Sequence, residues 1–475
     1  MIIKFREEAR LIDLGLTTDD KTILDLADAL LMEYNVTKHL KRKKQILISI
    51  IVNLKLNDAI GLKTAIPRGE NFYSNITKRY KLETMSHDIV VGLIDRLKLG
   101  NKYVVEYSKG VKYDFTEASM YHLSPRLRSL TKSFSKDDVS FEEEESIILR
   151  KRISAKTALL DSNITSAGST EISIEESLNL SLDDEYNITK KLKKIIVDYT
   201  DTDYTNSIRS DLNEYNQLRS QSSISLKDLP EELFKNDERD ESIRSFAAID
   251  ISEIKPDENG LYQIPLLKDQ LCRIFTEDFD HGGRFYRGFE TRLRKELRPY
   301  IAINGASTIE LDYSSYHIRM LYHLHKKRCP EDPYMVEDGL LDYERDYYKI
   351  MVAACLNNSS EKSVLNTLRY HIIKKGLKDK FSSLDDVTLK VGLDKLIQHN
   401  RKVSEHFFKG DGLKFHKMDA DIANDILMHF TRRKSPVLVL CVHDSFIIAG
   451  QYEEELIWAM NKFYRYKLHK LPKIK

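Results

Sequence analysis

An α+β fold is predicted by two features of this sequence and given room by a third. First, apolar residues recur at helical spacing in several stretches, such as Ile23, Ala27 and Leu30. Second, short apolar runs bounded by turn residues read as strands, notably Tyr103–Tyr107, Thr308–Leu311 and Val437–Val442. Third, 475 residues suffice for two to four domains and a large core.

Composition excludes more than it assigns. Lys+Arg of 75 against Asp+Glu of 74 leaves a net charge of +1, so any basic surface must be local. The four cysteines, Cys272, Cys329, Cys355 and Cys441, are far apart and lack C-x-x-C spacing. A zinc site or a disulfide framework is therefore not expected, and a cytoplasmic setting suits the chain. The start, Met1–Glu8, is charged too early for a signal peptide. No apolar run approaches the ~18 residues of a membrane span, so no membrane partner is expected.

Taken in order, residues 1–62 read as an N-terminal helical segment. The basic run Lys38–Lys44 precedes the apolar stretch Ile46–Leu56. That run could touch phosphates or form a solvated helix face. Residues 63–130 give a helix over Ser86–Leu97, with core face Ile89, Val90, Leu93, Ile94 and Leu97. A strand Tyr103–Tyr107, a turn Ser108–Gly110 and a second extended piece Val111–Phe115 follow. A helix followed by a hairpin resembles a winged-helix DNA-binding domain, but many small α+β domains share the pattern, and a purely structural role is the alternative. Residues 131–190 form a polar linker, with an acidic run Glu142–Glu145 and a Ser/Thr/Asn/Asp-rich stretch Asp161–Asp184. Residues 191–264 resume helical spacing, from the basic segment Lys190–Ile196 through the face Ile208, Leu212, Tyr215 and Leu218.

Residues 265–475 hold four motifs. In His281-Gly282-Gly283-Arg284-Phe285-Tyr286-Arg287, glycines permit a tight turn, and Arg284 and Arg287 bring positive charge suited to a nucleic-acid backbone. Asp312 ends the strand Thr308–Leu311, before a helix bearing Ile318, Leu321 and Tyr322 on one face. It has two readings, a metal ligand in a cleft or an N-cap. Arg345 and Lys349 share a helix face, where two cations suit a triphosphate or, with Glu344 and Asp346, a solvated pair. The runs Val437–Val442 and Phe446–Ile448 flank His443-Asp444-Ser445, a hairpin whose tip carries an aspartate. That carboxylate either forms a structural turn pair with His443 or shares a divalent cation with Asp312.

In this order the four motifs resemble the polymerase module of family A DNA polymerases and of the related single-subunit phage-type RNA polymerases. The resemblance covers roughly residues 265–475. It implies a right-hand palm and fingers there, with residues 191–264 thumb-like. Asp312-Tyr313-Ser314 followed by Arg319 is similar to palm motif A, and Val442-His443-Asp444 to motif C. The resemblance implies Asp312 and Asp444 as catalytic ligands of two Mg²⁺ ions, for which Mn²⁺ can substitute. It implies Arg345, Lys349, His317 and Tyr313 around the nucleotide, and Gly283, Arg284, Arg287, His443 and Arg319 around the nucleic acid. The partners implied are a DNA primer-template, or RNA, and nucleoside triphosphates.

Three departures bear on the activity. Asn357 stands where motif B has a tyrosine, twelve residues after Arg345. His317 replaces an acidic residue five after Asp312, and its bulk against the sugar favours deoxynucleotides. Ser445 follows Asp444 where DNA-making members have Glu, which favours the RNA-making branch. A DNA polymerase without a proofreading exonuclease is expected, since residues 1–130 lack clustered acids on strands. An RNA polymerase or primase-like enzyme is the alternative, and a non-catalytic DNA-binding replication or regulatory protein is the alternative of another class.

Overall fold

The computed structural model describes residues 9–59, 62–74, 79, 82, 84–113, 116–134, 139–141, 145–154, 192–230, 257–258, 260–263, 269–293, 295–336, 344–374, 376 and 384–475. The expected segments Met1–Glu8, Glu142–Glu144 and Asp161–Asp184 lie outside them. Helices mix with largely antiparallel sheets, compatible with the α+β expectation. No helix of the described residues is long and apolar enough to cross a membrane. The four cysteines are buried free thiols.

The N-terminal unit comprises β1 (Ala9–Leu11), α1 (Lys21–Glu33), α2 (Leu40–Ala59), β2 (Lys63–Pro67), α3 (His87–Lys98), β3 (Val104–Tyr113) and β4 (Thr116–Leu123). Asp20 caps α1 by accepting from the Ile23 N–H, and Ile23, Ala27 and Leu30 are buried as their spacing predicts. The sheet runs β1-β2-β4-β3, parallel only between β1 and β2. One core joins Ile12 to Phe134, so the expected boundary at residue 62 passes through packed side chains. The hairpin differs from expectation. Ser108–Gly110 are not its turn, because β3 continues through them with two register shifts against β4. The extra residues are taken up as bulges within the ladder.

A second core, from Ile147 to Leu468, holds the rest of the described chain together. One of its sheets contains β5 (Ile147–Ser154), β6 (Leu192–Ile196), β9 (Cys272–Thr276) and β10 (Asp278–Tyr286), in the order β10-β9-β5-β6. The segment Leu192–Ile196 is thus a strand, not the expected helix. Its pairing with β5, Lys151 opposite Ile195, overrides the helical spacing of Leu192, Ile195 and Ile196. Between them α4 (Asp203–Ser220) begins with a capping box of Thr202 and Thr205. Its face Ile208, Leu212 and Tyr215 enters the same core as the C-terminal residues.

The other sheet has six antiparallel strands: β7 (Ile224–Lys227), β8 (Leu261–Gln263), β11 (Ile301–Ile303), β12 (Ala306–Asp312), β13 (Leu440–Val442) and β14 (Ser445–Ala449), ordered β8-β7-β11-β12-β14-β13. Around it pack α5 (Tyr316–Leu324), α6 (Glu344–Asn357), α7 (Glu361–Lys374), α8 (Asp386–His399), α9 (Gly412–Thr431) and α10 (Glu453–Leu468). Strand β14 is buried throughout, whereas on β12 Leu311 is buried and Glu310 exposed. Strand β12 is therefore half open, although its apolar run reads as a buried strand, and this leaves room for a cleft over its end.

Candidate active site

The end of β12 and the tip of the β13–β14 hairpin meet. Asp312 lies opposite Ser445, and the Tyr313 N–H donates to the Asp444 carbonyl at 3.1 Å. Val442 pairs with Ser445, so the turn is His443-Asp444 and Ser445 already belongs to β14. His443 takes the left-handed conformation that this turn requires, with φ +58°.

Asp312 is no helix cap. Helix α5 starts at Tyr316 behind Ser315, and the Asp312 backbone is instead paired with Lys475, N–H to carbonyl in both directions at 2.9 and 3.0 Å. Its Oδ2 meets the Lys475 ammonium at 2.9 Å, while Oδ1 is buried with no hydrogen-bond partner among the described residues. Burial raises the Asp312 pKa, and the neighbouring Asp444 charge raises it further; Lys475 and Lys349 oppose both. Asp312 therefore feels the charges of both Asp444 and Lys349 of α6.

This arrangement costs stability. With the folded pKa above the ordinary 3.8, the folded state holds the proton more tightly than the unfolded state. Ionised Asp312 thus destabilises at neutral pH, and the cost is relieved as pH falls through the raised pKa toward 3.8. In chelator, Asp312→Asn is expected to be more stable than the parent by about 1 kcal/mol at neutral pH. The gain should close in acid. Urea melts at the two pH values check this; equal neutral midpoints would contradict it.

The glycine-arginine motif is built differently from its sequence reading. Gly282 and Gly283 have φ of +81° and +78°, and the register of β9 with β10 shifts between Ile274 and Phe275. A Cβ on Gly283 would stand 2.5 Å from Phe275 Cε1, and the Gly283 carbonyl accepts from Arg273 Nε at 2.6 Å. The glycines make a β-bulge, and Gly283 faces protein rather than a ligand. Arg284 is 15% exposed and turned inward onto Asp419 of α9, with Nε 3.0 Å from Oδ2. His317 Nε2 reaches the same oxygen at 2.9 Å and lies 3.0 Å from Arg284 Nη2. Burial pushes the Asp419 carboxyl up, but the Arg284 charge and the His317 contact outweigh it and hold it well below its usual range. His416 beside them is kept neutral by burial and by Arg284. Asp419 escaped the sequence reading, yet it had a signal. It falls on the apolar stripe of α9, between Phe415 and Ile422, where a lone carboxylate needs a buried cation.

Two further expectations are corrected. Tyr313 is 2% exposed; its hydroxyl donates to the Met460 carbonyl at 2.7 Å and its ring stacks on Tyr316 at 4.4 Å. It is a core residue and cannot meet a nucleotide. Arg319 is buried, donating to the carbonyls of Ser314 and Glu331 at 3.3 and 3.1 Å. It braces the loop after α5 rather than a nucleic acid.

The remaining residues stay accessible to a ligand. Arg345 is 41% exposed, donates to Asp332 at 2.6 Å and lies over the Tyr334 ring. Lys349, one turn on, is exposed. Arg287 is half-buried in a left-handed conformation, φ +74°. His443 stands edge-on to Tyr286, and its Nδ1 is buried without a partner among the described residues. Burial, helped by Arg284, lowers its pKa to about 4, so the ring is neutral at pH 7. Asn357, where a tyrosine was sought, lies against the start of α9, since a Cβ on Gly412 would come 1.8 Å from its Oδ1. Glu310, also missed by the sequence reading, accepts from Ser445 Oγ at 2.6 Å, one strand pair from Asp312.

Among the described residues no group of three or more His, Cys, Asp and Glu is arranged to hold a metal ion. Asp312 and Asp444 are nonetheless electrostatically coupled carboxylates, and Asp312 has an unsatisfied buried oxygen. That donor set fits Mg²⁺, which commonly takes one or two carboxylates and completes its shell with water and substrate phosphate.

No family model matches this chain, and neither does a curated protein. Among solved structures it is similar to the polymerase domain of Pol1 from M. smegmatis, solved in complex with DNA primer-template and dNTP. The identity is 12% and the TM-score 0.24, over 49% of this chain and 48% of that one. The match thus spans about half the length of either protein.

Proposed function

We propose that this chain is a template-directed nucleotidyltransferase, a DNA polymerase that extends a primer, with residues 265–475 as palm and fingers. The observation that carries this reading is the pairing of β12 with the β13–β14 hairpin. It brings Asp312 beside the His443-Asp444 turn, within electrostatic range of Lys349.

In this reading Asp312 and Asp444 would hold the metal, and bound Mg²⁺ lowers the pKa of a primer 3′-hydroxyl and offsets charge on the leaving pyrophosphate. Lys349, exposed one helical turn beyond Arg345, contributes positive charge for the triphosphate, and Arg345 joins it from its Asp332 anchor. His443, uncharged at pH 7, borders the primer end without adding a competing cation. His317 is fixed by Asp419, which holds its bulk in one orientation for discrimination between sugars. Tyr313 and Arg319 set the backbone that carries Asp312 and take no part in binding. A reducing cytoplasm suits the four buried thiols.

A labelled primer annealed to a longer template, incubated with Mg²⁺ or Mn²⁺ and single nucleotides, tests the reading. Template-matched extension with deoxynucleotides is the expected result. Preference for ribonucleotides would move the assignment to an RNA polymerase. No incorporation of either kind with either metal would overturn it.

A further inference from the structure

Away from the carboxylate cleft, the strongest feature without a role is the charge around the first two turns of α2. Between Glu33 and Asp58 the chain has no acidic residue and carries Lys38, Lys41, Arg42, Lys43, Lys44 and Lys55. Lys38, Lys41 and Arg42 are exposed, and Lys43 and Lys44 partly so. Two acids of the neighbouring α1 are engaged elsewhere or by one lysine. Asp28 answers Lys44 alone, at 2.6 Å, and Glu33 is taken by Lys102 and by the Tyr103 hydroxyl. The side chains of Lys38, Lys41 and Lys43 have no partner among the described residues.

Helix stability does not explain this composition. Cations three or four residues apart repel each other, and each opposes the positive end of the helix dipole by roughly 0.3–1 kcal/mol. The first turn contains no acid to offset them. The helix persists because Ile46–Leu54 is buried in the N-terminal core, at roughly 1.5–3 kcal/mol per large apolar side chain. The same burial speaks against a membrane surface as partner. A helix lying on lipid needs a free apolar face, and the apolar residues of α2 are already packed. The other surfaces expected to meet DNA are electrically mixed. On α3, Asp95 holds Arg68, while Lys98 is held by Glu106.

We propose that Lys38, Lys41 and Lys43 form a docking face for the sugar-phosphate backbone of a nucleic acid. This face is separate from the carboxylate cleft and independent of the nucleotidyl-transfer reading. Point charges on flexible stems track phosphates without reading bases, so binding through them is insensitive to sequence and steeply dependent on salt.

Fluorescence anisotropy of the full chain with a labelled duplex, in chelator and across a salt titration, tests this. Neutralising Lys38, Lys41 and Lys43 together as alanines should lower the slope of log affinity against log salt by about 2–3, at ~0.9 per phosphate. Affinity near 0.1 M salt should fall on the order of a hundredfold. The corresponding triple arginine variant should retain both. Alanine removes repulsion from a helix start, so the variant should melt no lower than the parent, and circular dichroism checks this. Lys41→Glu, a single change, should weaken binding in the same sense if the triple variant is misfolded. An unchanged slope in a folded alanine variant would overturn the proposal. So would a parent chain that binds no nucleic acid, or one that binds only phosphatidylserine vesicles. If the slope falls as expected but the parent extends no primer, the nucleotidyl-transfer reading fails and the docking face stands.

Discussion

Primer extension is expected to fall on the order of a thousandfold in Asp312→Ala and again in Asp444→Ala, with duplex affinity within about twofold of the parent. One carboxylate comes from the end of β12 and the other from the His443-Asp444 turn, and burial of Asp312 together with the Asp444 charge raises the Asp312 pKa even with Lys475 and Lys349 nearby. Folding gains nothing from such an arrangement, whereas a divalent cation would satisfy both groups and the free Oδ1 of Asp312. A site that sacrifices stability in this way suits transition-state charge better than structure. The double variant should be no worse than either single one, because residues acting as a unit do not contribute additively. Single-turnover extension and anisotropy on the same preparations separate chemistry from binding. Residual extension within about tenfold of the parent in both variants would remove these aspartates from the chemistry.

The legible parts of this chain were those with local periodicity. The stripe Ile23, Ala27, Leu30 gave α1, and the apolar run to Val442 with His443-Asp444 gave a hairpin against the Asp312 strand. Side chains that face inward were misread wherever charge or aromaticity suggested a ligand. Tyr313 and Arg319 sit within a motif, yet a hydroxyl that reaches Met460 and a guanidinium that reaches the carbonyls of Ser314 and Glu331 are structural. Sequence distance hid the partners. Arg284 and Asp419 are 135 residues apart, so nothing local tells that the arginine is already paired. The two glycines before Arg284 carried a true signal for positive φ, but the same signal serves a ligand loop and a bulge; only the ladder with β9 distinguishes them. Leu192–Ile196 failed for another reason, since two adjacent isoleucines after lysines fit helix and strand alike until β5 supplies a neighbour.

Asp419→Ala is expected to destabilise the protein by about 3–5 kcal/mol, because it leaves the Arg284 guanidinium buried without its counter-charge. Asp419→Asn, which keeps the acceptor oxygen but not the charge, should cost less. The pH dependence follows from the depressed Asp419 pKa. The folded state releases this proton more readily than the unfolded state, so the pair's contribution is complete above the ordinary 3.8 and is lost as pH falls below it. The gap between parent and Asp419→Asn in urea melts should therefore be full near neutrality and narrow in strong acid. A gap independent of pH would mean that packing, not charge, holds α9 against β10. A second pair of changes separates stability from function. Arg284→Met with Asp419→Leu replaces the buried ion pair by apolar volume, which often restores most of the lost stability. It also removes the groups that hold the His317 ring at 2.9 and 3.0 Å. Recovered melting with poor extension, or with weakened choice between deoxy- and ribonucleotides, is the expected result. Recovery of both would reduce Arg284, Asp419 and His317 to a clamp between β10, α5 and α9, with no hand in the chemistry at the end of β12.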